Sequence, residues 1–368
     1  MMRALNPEKP FRDELLSIEL LEERARALGA RFTVDPSRRA ARSVFPRFDE
    51  NARLLRDTYR ALSDDVHHGE FVTPAAEWFL DNFHLIAAEI REVRQNLPHG
   101  YYRQLPALAP PELQGSARVY ALAVELIRHS DSRLDQSQLV RFLNGFQTVA
   151  PLTIGELWAW PSMLKLALIE NLRRLMVEIL AARAARRAAD TYVARIDAAG
   201  KGVPPPLPRE IHLAQVVQLL QRVREYGPRL EAVRAGLDAH LAASKMTSED
   251  AIRGEHQREA VAQVSTANVV TSLRLVSNLD WSEYVETVSL VERILRRDPA
   301  GVHSRMDFLS RDRYRQAIEE LAEPAAEAQV RAALRAVESA RLAAETEGAA
   351  ARAAHVGYHL IGKGRRAL

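Results

Sequence analysis

Apolar residues recur at spacings of three and four along nearly the whole chain, and no other feature narrows the possible folds as much. Phe48, Ala52, Leu55, Tyr59, Leu62 and Val66 fall on one face of a helix, and so do Trp78, Phe79, Phe83, Ile86, Ile90, Val93 and Leu97. Thr73 followed by Pro74 opens the second of these well, with a hydroxyl for the orphan amides and then a residue whose φ is already helical. Gly69 separates the two, so residues 48–68 and 74–96 are expected to form an antiparallel hairpin. Strand-length runs of β-branched residues alternating across hairpin turns are not found. The expected fold class is therefore all-α, built of antiparallel helical hairpins and bundles with no sheet.

The remaining helices are expected at 118–129, 135–149, 210–226, 229–243, 249–278, 280–297, 307–322 and 324–354. One more runs from 153 to about 194, with Pro161 breaking or kinking it early. Thr153-Ile-Gly-Glu156 has the capping-box pattern, in which hydroxyl and carboxylate satisfy each other's backbone donors, and Asp280-Trp-Ser-Glu283 resembles it. An aromatic loop is expected at 98–106 and a break at Pro110-Pro111. Residues 201–208, with four prolines, read as a stiff, extended linker. The expected organisation is an N-terminal helix and connecting segment (1–44), a helical domain (45–200), the linker (201–208) and a second helical domain (209–368).

Hydrophobic residues make up 47% of the chain and charged residues 27%, the balance of a folded protein. The net charge of +3 arises from 51 basic and 48 acidic residues that are interspersed, which argues against a nucleic-acid partner. No cysteine is present, which excludes disulfides, thiolate metal sites and a cysteine nucleophile. The first residues run directly into charged sequence without a signal-peptide core. The most apolar stretch, 154–180, is interrupted by Glu156, Pro161, Lys165, Glu170, Arg173, Arg174 and Glu178, so no membrane span is expected.

Motifs that would carry chemistry fail on inspection. The tail from Gly357 to Gly364 lacks both the spacing of a phosphate loop and its magnesium-holding hydroxyl. His355 and His359 are four apart, but Val356 stands where a zinc-protease helix needs Glu. No Gly-x-Ser-x-Gly elbow occurs. Catalytic, cofactor-binding and metal-ligating residues are accordingly expected to be none, and no cofactor is implied. The basic runs Arg183–Arg187 and Lys363–Arg366 read as solvated helix faces. Two polar stretches stand out. Glu170, Asn171, Arg173 and Arg174 lie on a helix apolar enough to be buried all round, so they need partners, in an internal ion network or a protein interface. Glu255, His256 and Arg258, continuing through Gln263, Asn268 and Thr271 to Arg274, recur like a hydrogen-bonded seam between helices, or like a ligand site.

An ordered series of strings resembles the N-terminal region of the bacterial cyclic β-1,2-glucan synthases. It begins with Thr73-Pro-Ala-Ala-Glu-Trp-Phe-Leu-Asp-Asn-Phe-His84 and Leu97-Pro-His-Gly-Tyr-Tyr-Arg-Gln-Leu-Pro106. It continues through Leu152-Thr-Ile-Gly-Glu-Leu-Trp-Ala159, Leu168-Ile-Glu-Asn-Leu-Arg-Arg174, Arg253-Gly-Glu-His-Gln-Arg258, Thr271-Ser-Leu-Arg274 and Leu279-Asp-Trp281. Arg297-Asp-Pro-Ala-Gly301, Arg311-Asp-Arg-Tyr-Arg315 and His355-Val-Gly-Tyr358 complete it. What the resemblance implies is a part of much longer inner-membrane enzymes that polymerise glucose from UDP-glucose and cyclise the product. In them, transmembrane helices, a glycosyltransferase module and a phosphorylase-like module follow this region. None of those modules' motifs occurs here, so no catalytic residue carries over.

The resulting expectation is a non-catalytic cytoplasmic helical region at the inner-membrane face that scaffolds or regulates the membrane glycosyltransferase. Its partners are that module, in cis or in trans, and glucan. The alternative is a free-standing helical protein-interaction adaptor without enzymatic activity. Trp78, Asp81, Asn82, Tyr101, Tyr102, Trp158, Trp281, Arg311, Asp312 and Arg313 join the two polar stretches as candidate interface or glucan contacts, since aromatic faces suit both core packing and sugar binding.

Overall fold

Capping and apolar spacing translate into sixteen α-helices in the computed structural model, which describes residues 9–35, 41–109, 115–199, 207, 211–322 and 325–368. The helices are α1 (Ile18–Arg31), α2 (Phe45–His67), α3 (Pro74–Asp81), α4 (Phe83–Asn96), α5 (His99–Gln104), α6 (Arg118–Ser130), α7 (Gln136–Gln147) and α8 (Ile154–Ala199). They continue with α9 (Leu213–Tyr226), α10 (Glu231–Ala243), α11 (Ser248–Asn278), α12 (Trp281–Val288), α13 (Leu290–Leu295), α14 (Phe308–Leu321), α15 (Ala326–Glu347) and α16 (Val356–Leu360). Among the described residues β pairing is confined to two isolated bridges, Val34 with Leu108 and Ala107 with Ala117, so the all-α fold class holds. Pro110-Pro111 and all of the 201–208 stretch except Leu207 lie outside the described residues.

Side chains that mimic a backbone acceptor set many of the helix starts. Ser17, Thr73, Asp135, Asp280 and Asp307 each accept the amide three residues on, at 2.8–3.4 Å. The capping box at α8 forms as expected: Thr153 Oγ1 accepts Glu156 N at 3.0 Å, and Glu156 Oε2 accepts Thr153 N at 2.9 Å. The Glu156 carboxylate also takes both arms of the Arg118 guanidinium, at 2.8 and 2.6 Å, and Gln329 Oε1 accepts Ile154 N at 2.9 Å. Every one of these donors is thus answered at a buried helix end.

The structure departs from the expected elements at several places, among them the expected 324–354 helix, which ends at Glu347 where Gly348 takes a positive φ of 94°. Pro161 does not break α8, which continues unbroken from Ile154 to Ala199. The expected 74–96 helix is interrupted at Asn82, whose Nδ2 reaches back to Trp78 O at 2.9 Å and competes with the helical bond to that carbonyl. Ser289 divides the expected 280–297 helix, because its extended backbone and its hydroxyl, bonded to Glu292 N at 3.2 Å, begin a new helix. The aromatic segment at 98–106 holds the helical turn α5 where a loop was expected.

The chain divides into two compact units. One comprises Glu50–Ile86 and Ile169–Val270 with residues 9–10; the other comprises Phe11–Asp49, Ala87–Leu168 and Thr271–Leu368. The first unit's core is made by Ala189, Val193 and Ile196 of α8, Val216, Leu219 and Val223 of α9, and Val233, Leu237 and Leu241 of α10. In the second unit, Ile154, Val291, Leu295, Ile318, Ala333, Ala336, Ala340 and Leu360 form one cluster. The alanine row at 333, 336 and 340 lets α15 approach α13 and α16 closely. In this unit α1 and α7 also cross tightly: a Cβ at Gly145 would lie 2.8 Å from the Glu22 carbonyl oxygen, so only glycine fits there.

Candidate functional site

Concavities in each unit gather residues that the sequence singled out. The larger, about 800 Å³, is a groove in the first unit. Arg183, Arg186, Arg187 and Asp190, at helical spacing on α8, face it together with Gln218 and Arg222 of α9 and Glu255, His256 and Glu259 of α11. Its arginines are answered by carboxylates. Arg183 and Arg187 both pair with buried Asp65, the latter at 2.7 Å, and Arg187 also reaches Glu70. Arg186 meets Glu259 at 3.0 Å, and Arg222 meets Asp190 at 2.7 Å. Burial alone would raise the Asp65 pKa, but the two guanidinium groups override it and hold the carboxyl below its ordinary value. Phe71 is exposed at the rim, with the Arg186 guanidinium 5.4 Å over its ring.

The second concavity, about 390 Å³, lies in the second unit and is aromatic. Tyr101 of α5, Trp158 of α8 and Trp281 of α12 line it with Glu92, Asn96, Ser162, Lys165 and Ser277. Each ring is fixed from behind. Trp281 Nε1 donates to Val276 O at 2.7 Å and its ring meets Tyr284 edge-on at 5.0 Å. Trp158 meets Phe308 edge-on at 6.1 Å. The Tyr101 hydroxyl donates to Gly155 O, and burial, aided by Glu319 and Glu156, raises its pKa so that it stays protonated. The polar side is joined in series. Lys165, nearly buried, pairs with Glu89 at 2.6 Å and with Glu92 at 2.8 Å, and Glu92 accepts Asn96 Nδ2 at 3.1 Å.

The second unit also holds a buried ionic knot. Arg315, fully buried, donates to Glu292 at 3.0 Å and Glu286 at 3.2 Å, and Arg311 forks onto Glu286 with two bonds of 2.8 Å. His303 Nε2 lies 3.1 Å from Glu292. Burial pushes the Glu292 pKa up, yet the hydrogen bond and charge of His303, with Arg296 and Arg315, bring it down to about 2. Nearby, Asp298 accepts the amides of Val302, His303 and Val356 at 3.0–3.1 Å and faces His355 Nδ1 at 2.8 Å. His355 Nε2 in turn meets the Tyr314 hydroxyl at 2.8 Å. That series has the order of a base and its orienting carboxylate, but Tyr314 is buried and lines neither concavity.

The remaining candidate residues separate by burial. Glu170, Asn171, Arg173 and Arg174 are buried in the first unit, where Glu170 takes Arg174 Nε at 2.7 Å and the Asn51 amide. Arg258 pairs with Glu255 at 2.6 Å. Tyr102 is buried edge-on to Phe45 at 5.6 Å, and Asp312 accepts Arg315 Nε at 3.1 Å. Trp78, Asp81, Asn82, Arg274 and Arg313 line neither concavity, and all but Asn82 are exposed. Sequence reading did not select Arg315, Glu286, Glu292 and His303, nor Lys165 and Asn96 as wall residues. The one signal for Lys165 was a charge set in an otherwise apolar helix. Among the described residues, no group of three or more His, Cys, Asp or Glu could hold a metal ion, and no helix is long and apolar enough to cross a membrane.

Among the described residues, fold and sites together define an all-α protein with buried ion-pair networks in both units and an aromatic-walled cavity in the second. No family model matches the chain. It is 34% identical over 333 residues to the cyclic beta-(1,2)-glucan synthase NdvB of Rhizobium meliloti (strain 1021). The alignment covers 88% of this chain and 12% of NdvB, so the chain is related to a segment of that much longer synthase.

Proposed function

We propose that the chain is a non-catalytic helical region of a cyclic β-1,2-glucan synthase, working at the cytoplasmic face of the inner membrane to scaffold or regulate the glycosyltransferase that polymerises glucose from UDP-glucose. The observation that carries this reading is the 34% identity over 88% of the chain to a segment of NdvB. The local chemistry supports it. Lys165 of α8, the groove arginines and the 286–315 knot are held in ion pairs that join one helix to another, which suits a scaffold more than a reacting centre.

Two measurements test the proposal. A synthase lacking its corresponding segment is expected to lose glucan formation and to recover it when the 368-residue chain is supplied in trans, with the two co-purifying. The chain alone, given UDP-glucose, is expected to transfer no glucose. Turnover by the isolated chain would overturn the non-catalytic role. Failure to associate with the truncated synthase or to restore glucan formation would overturn the scaffold role and leave the adaptor reading.

A further inference from the structure

We infer that the aromatic cavity of the second unit is a binding site for a neutral saccharide, taking a short stretch of glucan chain. Its volume of about 390 Å³ falls in the ~300–1,000 Å³ range of small-molecule sites. The C–H faces of a pyranose carry partial positive charge and pack on the negative faces of aromatic rings, and Tyr101, Trp158 and Trp281 supply three such rings in one enclosure. A sugar also needs donors and acceptors beside the rings, because an unanswered buried hydroxyl is costly. Lys165, Glu92 and Asn96 supply both kinds.

Charge selects the ligand class further. Among the described residues that line the cavity, the one cation, Lys165, is neutralised by Glu89 and Glu92, which leaves no excess positive charge for a nucleoside diphosphate. A neutral polyol satisfies the rings and the hydrogen-bonding groups at once. The rings are also held before any ligand arrives, Trp281 through Val276 O and Tyr284, and Tyr101 through Gly155 O. Little ordering is left to offset binding. By contrast, a ligand entering the first unit's groove would have to compete with the ion pairs of Arg183, Arg186 and Arg187.

The choice of β-1,2-linked glucose as probe rests on the proposed function; the saccharide class rests on the cavity. The test is calorimetric titration of the full chain with linear β-1,2-glucose oligomers, in parallel with tryptophan fluorescence. Saturable binding is expected, with a fluorescence change from Trp158 and Trp281. Trp281→Ala is expected to weaken it about tenfold, the scale of losing one stacking platform. Because Trp281 also packs on Tyr284, Ser277→Trp serves as a second variant: it adds bulk at an exposed helical position lining the cavity and is expected to abolish binding with unchanged circular dichroism. Absence of heat and fluorescence change at millimolar oligomer would overturn the site. So would undiminished binding in both folded variants, or preferential binding of UDP-glucose or choline there. None of these outcomes bears on whether the chain associates with a truncated synthase, so the two proposals fail separately.

Discussion

Arg187 in the first unit holds two carboxylates and Arg315 in the second holds three, but at different depths. The Arg187 side chain is 47% exposed, whereas Arg315 is fully buried against Glu286 and Glu292. A half-exposed guanidinium such as that of Arg187 keeps much of its hydration and gains little from pairing, so it mainly aligns helices. A buried cation flanked by two buried carboxylates is different, because removing it strands charge in a poor solvent. The same interaction type is therefore decoration in one unit and a structural requirement in the other.

The largest break in that comparison comes from Arg315→Ala. Glu286 would keep Arg311 and Glu292 would keep Arg296 and His303, but the fully buried cation joining them would be gone, and the expected loss is roughly 3 kcal/mol, read from the midpoint of urea unfolding. A variant as stable as the parent would mean that water or rearrangement replaces the guanidinium.

Acid probes the same knot without mutation. Glu292 has a folded pKa of about 2 against an ordinary 4.5, so its contribution is fully present above about pH 4.5 and disappears as pH falls toward 2. Thermal unfolding in this window is expected to shift to lower temperature as pH falls, and Glu292→Gln is expected to flatten that dependence. Gly357→Ala comes next. An added Cβ would fall 2.0 Å from the Tyr314 hydroxyl and force Tyr314 away from His355, at an expected cost of about 1–3 kcal/mol in thermal or urea unfolding. The smallest effect is expected for Arg187→Ala, under ~1 kcal/mol by the same denaturation, since Arg183 still answers Asp65. A loss comparable to that of Arg315→Ala would erase the distinction between the two networks.

Much of the helical framework was legible because its causes are local. Thr73, Asp135, Asp280 and the Thr153–Glu156 box act within three residues, and α2, α7 and α11 begin and end within a few residues of where their patterns do. The interruptions at Asn82 and Ser289 are also local, but their polar side chains compete with a helical pattern that continues on both sides. The site was legible in its parts only. Tyr101, Trp158 and Trp281 could be named from composition, but their convergence on one cavity depends on α5, α8 and α12, which no spacing rule connects. Arg315 escaped because the two buried glutamates it joins lie 29 and 23 residues away, and its one partner at helical spacing, Asp312, gives no sign of burial. The groove arginines were visible as a basic run, and what the run lacked was the location of Asp65, 118 residues earlier than Arg183.

Asp298 has a consequence in time as well as in energy. Its two oxygens close a tight turn onto His303 and, 58 residues onward, receive the Val356 amide and the His355 ring. The first closure is nearly free in chain entropy, whereas the second must await the intervening α14 and α15. A single carboxylate thus participates in both an early and a late folding event. In native-state hydrogen exchange, the His303 amide should stay protected through openings that release Val356, so that the C-terminal segment behaves as the first cooperative piece to detach and the last to dock.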